Sequence, residues 1–170
     1  KNDIVKLGAD IDLDGVNWTP HDFPGLFDGG NHKVYNITIS RDGYCGFVQY
    51  LSGTIQNLVL GSSDGIKHDG KSIFSYTPGA EAGGWVHMGS VASNMGGNAL
   101  IKNVTNFVKL QTLESDGEAK VCMGGIVSMG SMTETIENCT NHGEIICNAS
   151  KGEFSTLSNH QLGGIISKTD

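Results

Sequence analysis

The run Asp10-Ile11-Asp12-Leu13-Asp14-Gly15 sets three carboxylates at alternate positions, the spacing with which the first half of a calcium loop wraps a hard cation in oxygen. The acid that completes such a loop at its twelfth position is missing, because His21 stands there. On a strand the same alternation turns Ile11 and Leu13 to one face and Asp10, Asp12 and Asp14 to the other, so a solvated edge accounts for the pattern and no metal or cofactor is expected. A second set, Asp69, Tyr76, Glu81, Trp85 and His87, mixes aromatic rings with carboxylates able to accept hydroxyl protons, as a sugar-binding surface does. The same stretch has a plainer reading, in which Phe74, Tyr76 and Trp85 seal the side of a core. The acids that could pair for polysaccharide cleavage are Asp64, Asp69, Glu114, Asp116, Glu118 and Glu153, with Arg41 as the sole arginine and distant in sequence from the later acids.

Other reactive residues are less organised. Cys45, Cys122, Cys139 and Cys147 form no CxxC pair and have no metal-ligand spacing, so buried thiols are expected. The histidines are scattered, with no HExxH. Sequons begin at Asn17, Asn36, Asn103, Asn138 and Asn148, and three of these coincide with a structural repeat that would block a glycan.

That repeat is the element that must position everything else. Ile136-Glu-Asn138-Cys-Thr140-Asn141 aligns with Ile101-Lys-Asn103-Val-Thr105-Asn106, and more loosely with Ile55-Gln-Asn57 and Val34-Tyr-Asn36. Glycine-led apolar steps anchored at Gly46, Gly89, Gly125 and Gly164 recur about 40 residues apart, a period that signals a stacked architecture. The apolar runs are short, β-branched and bounded by Gly, Asn, Ser or Asp, which selects strands over helices. Ile55 and Leu58 cannot both point inward along one straight strand, so the chain must bend at Asn57, and likewise at Asn103 and Asn138. Asparagine tolerates the left-handed backbone such a corner needs. Stacked corners predict a column of Asn36, Asn57, Asn103 and Asn138, spaced about 4.8 Å apart.

The expected fold is therefore all-β: a parallel β-helix, a single-stranded solenoid with three short strands per coil and long inserts at one corner. Residues 1–170 form one domain, with 1–30 an N-terminal cap-like coil and 31–170 the repeats. The inserts are 61–87, 111–122 and 147–161, and variable inserts on one face are where a solenoid usually binds. A chain of 170 residues with formal net charge -7 is a poor match for a phosphate-tracking nucleic-acid binder or an anionic membrane surface. No apolar stretch approaches the roughly 20 residues of a membrane span. Because the pattern is already under way at Lys1 and stops shortly after a glycine-led strand, a longer parent chain is expected.

Asp10-Ile-Asp-Leu13 with Asn17-Trp18-Thr-Pro20, the run from Phe23 to His32, and the later Gly-Ile-Val and Ile-x-Asn-Cys steps together resemble the GLUG-motif repeats of large bacterial surface proteins. The likeness covers nearly all of the chain. It departs at Gly46-Phe-Val and Gly89-Ser-Val, where the second glycine of the motif is absent. The resemblance implies a right-handed β-helix outside a bacterium, on the cell surface or attached to the outer membrane. It implies a noncatalytic adhesin-like module or spacer, with carbohydrate, a host surface glycoprotein or other domains of the same chain as partners. The alternative is a polysaccharide-cleaving enzyme of the pectin-lyase type, which shares the fold.

Overall fold

The computed structural model describes residues 3–76, 85–113, 120–131, 133–148 and 161–169. Among these there is no helix, and every strand pairing is parallel. In chain order, β1 (Ile4–Lys6) and β2 (Ile11–Asp12) open the stack, followed by β3 (Leu26–Asp28), β4 (Lys33–Tyr35), β5 (Thr38–Arg41), β6 (Tyr44–Cys45) and β7 (Val48–Leu51). The next two circuits are β8 (Thr54–Leu60), β9 (Ile73–Tyr76), β10 (Trp85–Gly89) and β11 (Ala92–Met95), then β12 (Leu100–Asn106), β13 (Lys109–Thr112), β14 (Lys120–Gly124) and β15 (Val127–Gly130). The last comprises β16 (Thr135–Glu137), β17 (Thr140–Asn141), β18 (Ile145–Ile146), β19 (Gln161–Gly163) and β20 (Ile166–Thr169).

Each circuit contributes to four stacked parallel sheets, as in a β-solenoid. A bent first sheet runs β1-β3-β8-β12-β16 with β2, β4 and β17 attached, and the others run β5-β9-β13-β18, β6-β10-β14-β19 and β7-β11-β15-β20. The expectation of three strands per coil is corrected here: the third sheet is an additional one. Its strand β10 begins inside the predicted insert 61–87 and runs on to the predicted anchor Gly89, since Trp-Val-His-Met-Gly carries no polar alternation that marks a strand. Val86 and Met88 face the core, and His87 between them is buried on the other face between neighbouring rings. The insert 61–87 likewise contains β9, where Phe74 and Tyr76 point into the core.

The bend in the first sheet has the predicted cause. Ile55 and Leu58 are both buried, as are Ile101 and Val104, and between them Asn57 and Asn103 sit at φ 53°. The tight step between third and fourth sheets is made by glycine. A β-carbon at Gly89, Gly124 or Gly163 would lie 2.0, 1.8 or 1.9 Å from the carbonyl oxygen of Ala92, Val127 or Ile166. The column Gly89↔Gly124↔Gly163 therefore has no room for a side chain; Gly125 has none either, since its β-carbon would lie 2.0 Å from the Gly164 carbonyl oxygen, whereas Gly164 has open space around it. Ser90 stands where Gly125 does one circuit later, and its hydroxyl donates to the Gly125 carbonyl at 2.5 Å. A side chain therefore fits at position 90 in the earlier circuit, whereas Gly125 has no room for one.

At the N-terminal end, Trp18 stacks on Phe47 with centroids 5.4 Å apart, and Phe27 meets Phe47 edge-on at 5.3 Å. The indole Nε1 of Trp18 donates to the Phe47 carbonyl at 2.8 Å, which gives this half-buried ring its polar partner. No helix among the described residues is long and apolar enough to cross a membrane.

Candidate functional site

The third sheet carries a row of aromatic rings. Tyr44 on β6 and His87 on β10 are register partners, and their rings stack with centroids 5.4 Å apart and planes 11° apart. Trp85, two residues earlier on β10 and so on the same face, stacks on His87 at 6.0 Å and 22°. Trp85 and Tyr44 are 42% and 38% exposed, whereas His87 between them is only 6% exposed. The Ser128 hydroxyl donates to the Cys122 carbonyl at 3.0 Å. With that proton committed, the 3.3 Å contact between His87 Nδ1 and Ser128 Oγ is a bond donated by the imidazole, which fixes the ring's orientation. The row is thus a rigid amphipathic ledge, two exposed aromatic rings braced by a buried one, and it can stack on a flat apolar surface such as a sugar face.

Tyr44 is not among the predicted site residues. Its only signal is the register that sets it beside His87, and neither their separation in sequence nor a local pattern announces that. The other predicted members do not join the ledge. Tyr76 is 8% exposed and belongs to the core, where burial, and then the nearby charges of Asp42 and Cys45, pushes its hydroxyl pKa up. Glu81 lies outside the described residues.

Asp69 serves the backbone. It accepts the Asn36 N–H at 2.8 Å, the Lys71 and Ser72 N–H groups at 2.7 and 2.6 Å, and the Ser72 hydroxyl at 2.6 Å. Its partial burial opposes ionisation. The four hydrogen bonds outweigh that burial and hold its carboxyl below the ordinary value of 3.8. It ties the loop after β8 to the corner at Asn36, and its side chain is spent there.

The asparagine column exists for three of its four predicted members. Asn138 Nδ2 donates to Asn103 Oδ1 at 3.3 Å, and Asn103 Nδ2 to Asn57 Oδ1 at 3.0 Å. Asn57 Nδ2 donates in turn to Asp28 Oδ1 at 3.0 Å. Asn36 is off this column: it follows β4, which pairs with the part of β8 beyond the bend, and its Nδ2 donates to Asp12 Oδ1 at 2.6 Å. The column is also on the outside, with Asn103 and Asn138 exposed.

A second, buried column, not predicted, runs beside the first. Asn106 is fully buried; its Nδ2 donates to Asn141 Oδ1 at 2.7 Å and to the Gly125 carbonyl at 3.2 Å, while its Oδ1 accepts the Val108 N–H at 2.9 Å. Asn141 repeats the motif, accepting the Gly143 N–H at 3.0 Å. Its signal lies in the alignment of Asn-Val-Thr-Asn106 with Asn-Cys-Thr-Asn141.

The acidic run near the N-terminus is turned to protein partners. Asp10 accepts from Lys33 Nζ at 2.7 Å, the Lys33 N–H at 3.0 Å and His32 Nδ1 at 3.2 Å, and the lysine contact above all holds its pKa at about 2. Asp12 accepts from Asn36 and from the Asp14 N–H at 2.8 Å. Asp64 Oδ1 gathers the Ile66 and Lys67 N–H groups and the Ser62 hydroxyl, which lower its pKa. The four cysteines are unbridged, and burial pushes the Cys45 thiol up to about 12, far from the thiolate a nucleophile requires. Glu114, Asp116, Glu118 and Glu153 lie outside the described residues. No protein-family model matches the chain, and neither a curated protein nor a solved structure shows significant similarity to it.

Proposed function

We propose that this chain is a noncatalytic module of a bacterial cell surface, built as a right-handed parallel β-helix and binding carbohydrate on the Tyr44–His87–Trp85 ledge. The observation that carries this reading is the ledge itself: exposed aromatic rings, fixed by a register pair and braced from below, at the surface of a rigid stack. A pyranose face packed on Trp85 or Tyr44 would remove apolar area from water on a surface already ordered, so little conformational entropy is lost on binding. The handedness follows from the strong preference of parallel crossovers for the right-handed sense. Surface location and an adhesin-like or spacer role follow from the resemblance to GLUG-motif repeats, with other domains of the same chain as further partners.

An array of oligosaccharides and host glycoproteins probed with the purified chain tests this reading. Trp85→Ala should abolish capture while lowering stability by about 1 kcal/mol or less, the worth of one aromatic stack. Equal capture by the variant would remove the ledge from consideration. Shortened oligosaccharide released into solution would favour the enzyme.

A further inference from the structure

Behind the aromatic ledge, the third sheet meets the fourth through buried polar groups. Ser128 on β15 is fully buried and ties that strand to β14, β10 and β20. Its hydroxyl donates to the Cys122 carbonyl at 3.0 Å and lies 3.3 Å from His87 Nδ1, which belongs to the circuit before, while the Ser167 hydroxyl donates to the Ser128 carbonyl at 2.5 Å. A carbonyl cannot donate, so the one hydroxyl proton of Ser128 goes to Cys122, and the proton between Ser128 and His87 comes from the imidazole. Neutral His87 therefore carries its proton on Nδ1, whereas a histidine side chain in water carries it mainly on Nε2. The tautomer is chosen by the bond.

The same column supplies a contrast. Ser93 stands at the register of Ser128 one circuit earlier, between the pairs Ala92↔Val127 and Asn94↔Met129, and it is equally buried. Its hydroxyl has no hydrogen-bond partner among the described residues. The ring one circuit before it, at the register of His87, is Tyr44, whose phenol offers no ring nitrogen. Burial of a serine in this column is thus not enough to make the contact, which needs the histidine.

We infer that Ser128 is the positioning residue of the ledge: by selecting the Nδ1–H tautomer it holds the imidazole in the plane on which Tyr44 and Trp85 stack, at 11° and 22°. Being fully buried, Ser128 meets no ligand itself and acts only through His87. Without this bond the imidazole turns about its Cβ–Cγ bond, and the two exposed rings lose the common support that keeps them ordered before binding. The effect on binding rests on the carbohydrate reading of the ledge, whereas the tautomer does not.

Nitrogen-15 spectra of the imidazoles of the 170-residue chain, recorded at about pH 8 where an ordinary histidine is neutral, test the tautomer directly. Wild-type His87 should carry its proton on Nδ1. Ser128→Ala should move that proton to Nε2, alter the near-ultraviolet circular dichroism of the stacked rings, and weaken capture of neutral glucose, galactose and mannose hexasaccharides about five-fold, the contribution of one hydrogen bond. Ser93→Ala, which removes an equally buried hydroxyl without a partner, should leave tautomer, dichroism and capture as they are. A wild-type proton on Nε2 overturns the inference, and this reading needs no variant to fold. An unchanged tautomer in Ser128→Ala, equal effects of the two serine variants, or a changed tautomer with wild-type dichroism overturns it as well. If the wild type captures none of the hexasaccharides, the carbohydrate reading falls alone, and tautomer and dichroism decide the role of Ser128.

Discussion

Strand β12 holds two asparagines three residues apart that are both stacked on an equivalent asparagine in the next circuit, and they are there for different reasons. Asn103 lies on the outer corner at φ 53°, exposed, with one amide bond to each neighbour. Its identity follows from a backbone conformation that most L-residues resist. Asn106 is buried, and its amide satisfies the Val108 N–H and the Gly125 carbonyl, main-chain groups that water cannot reach. Its identity follows from the cost of leaving such groups unpaired. A column of identical residues is therefore not one kind of device. The outer one shapes the chain, and the inner one satisfies it.

The widest separation between them should appear on truncation of the inner member. Asn106→Ala orphans the buried Val108 N–H and removes the bonds to Asn141 and to the Gly125 carbonyl, which keeps only its bond from Ser90, and should cost about 3 kcal/mol, or roughly 6 to 12 °C in melting temperature for a chain of this size. A smaller loss than for Asn103→Ala would reverse the assignment. Asn103→Ala should cost about 1 to 2 kcal/mol, chiefly from forcing alanine into the left-handed region. Glycine sharpens the contrast: Asn103→Gly should recover most of that loss, because glycine adopts positive φ freely, whereas Asn106→Gly should recover none. Denaturant melts of the four variants decide both points, and recovery by glycine at position 106 would show that burial was not the cause there.

The smallest effect concerns acid. Asp69 has its folded-state pKa below 3.8, so its contribution is fully present above that value and is lost as pH falls below it towards the folded-state pKa. Asp10, Asp28 and Asp64 are shifted in the same direction. The melting temperature should therefore decline between about pH 4 and about pH 2, and Asp69→Asn should flatten part of that decline. If the slope is identical in the variant, the bonds to Asn36 and Ser72 do not hold the loop after β8 as described.

How much is legible in the sequence varies with the range of the interaction. The bends at Asn57, Asn103 and Asn138 follow from parity, a rule that operates over a few residues and needs no partner. The third sheet does not, because His87, on the outer face of β10, is buried between Trp85 and Tyr44, and the second of these reaches it only from a strand one circuit away. The glycine column passes through Gly46 and Gly89 as expected but then through Gly124 and Gly163, one position before the predicted anchors Gly125 and Gly164, since adjacent glycines look alike in sequence and only the inter-strand register distinguishes them. Trp85 and His87 can be named in advance as candidates, but Tyr44, which completes their ledge, cannot.

By itself the sequence determined the class of fold, the roughly 40-residue period, the parallel stacking and the places where the chain must turn. These all rest on local conformational preferences and on repetition, which a single chain displays in full. Tertiary structure alone decided which candidate residues share a surface. It moved Tyr76 into the core, committed Asp69 to a corner, displaced Asn36 from the column and brought Tyr44 against His87. The physical reason is that parallel pairing joins residues one whole circuit apart, and the loop lengths that set each pairing are unequal from one circuit to the next.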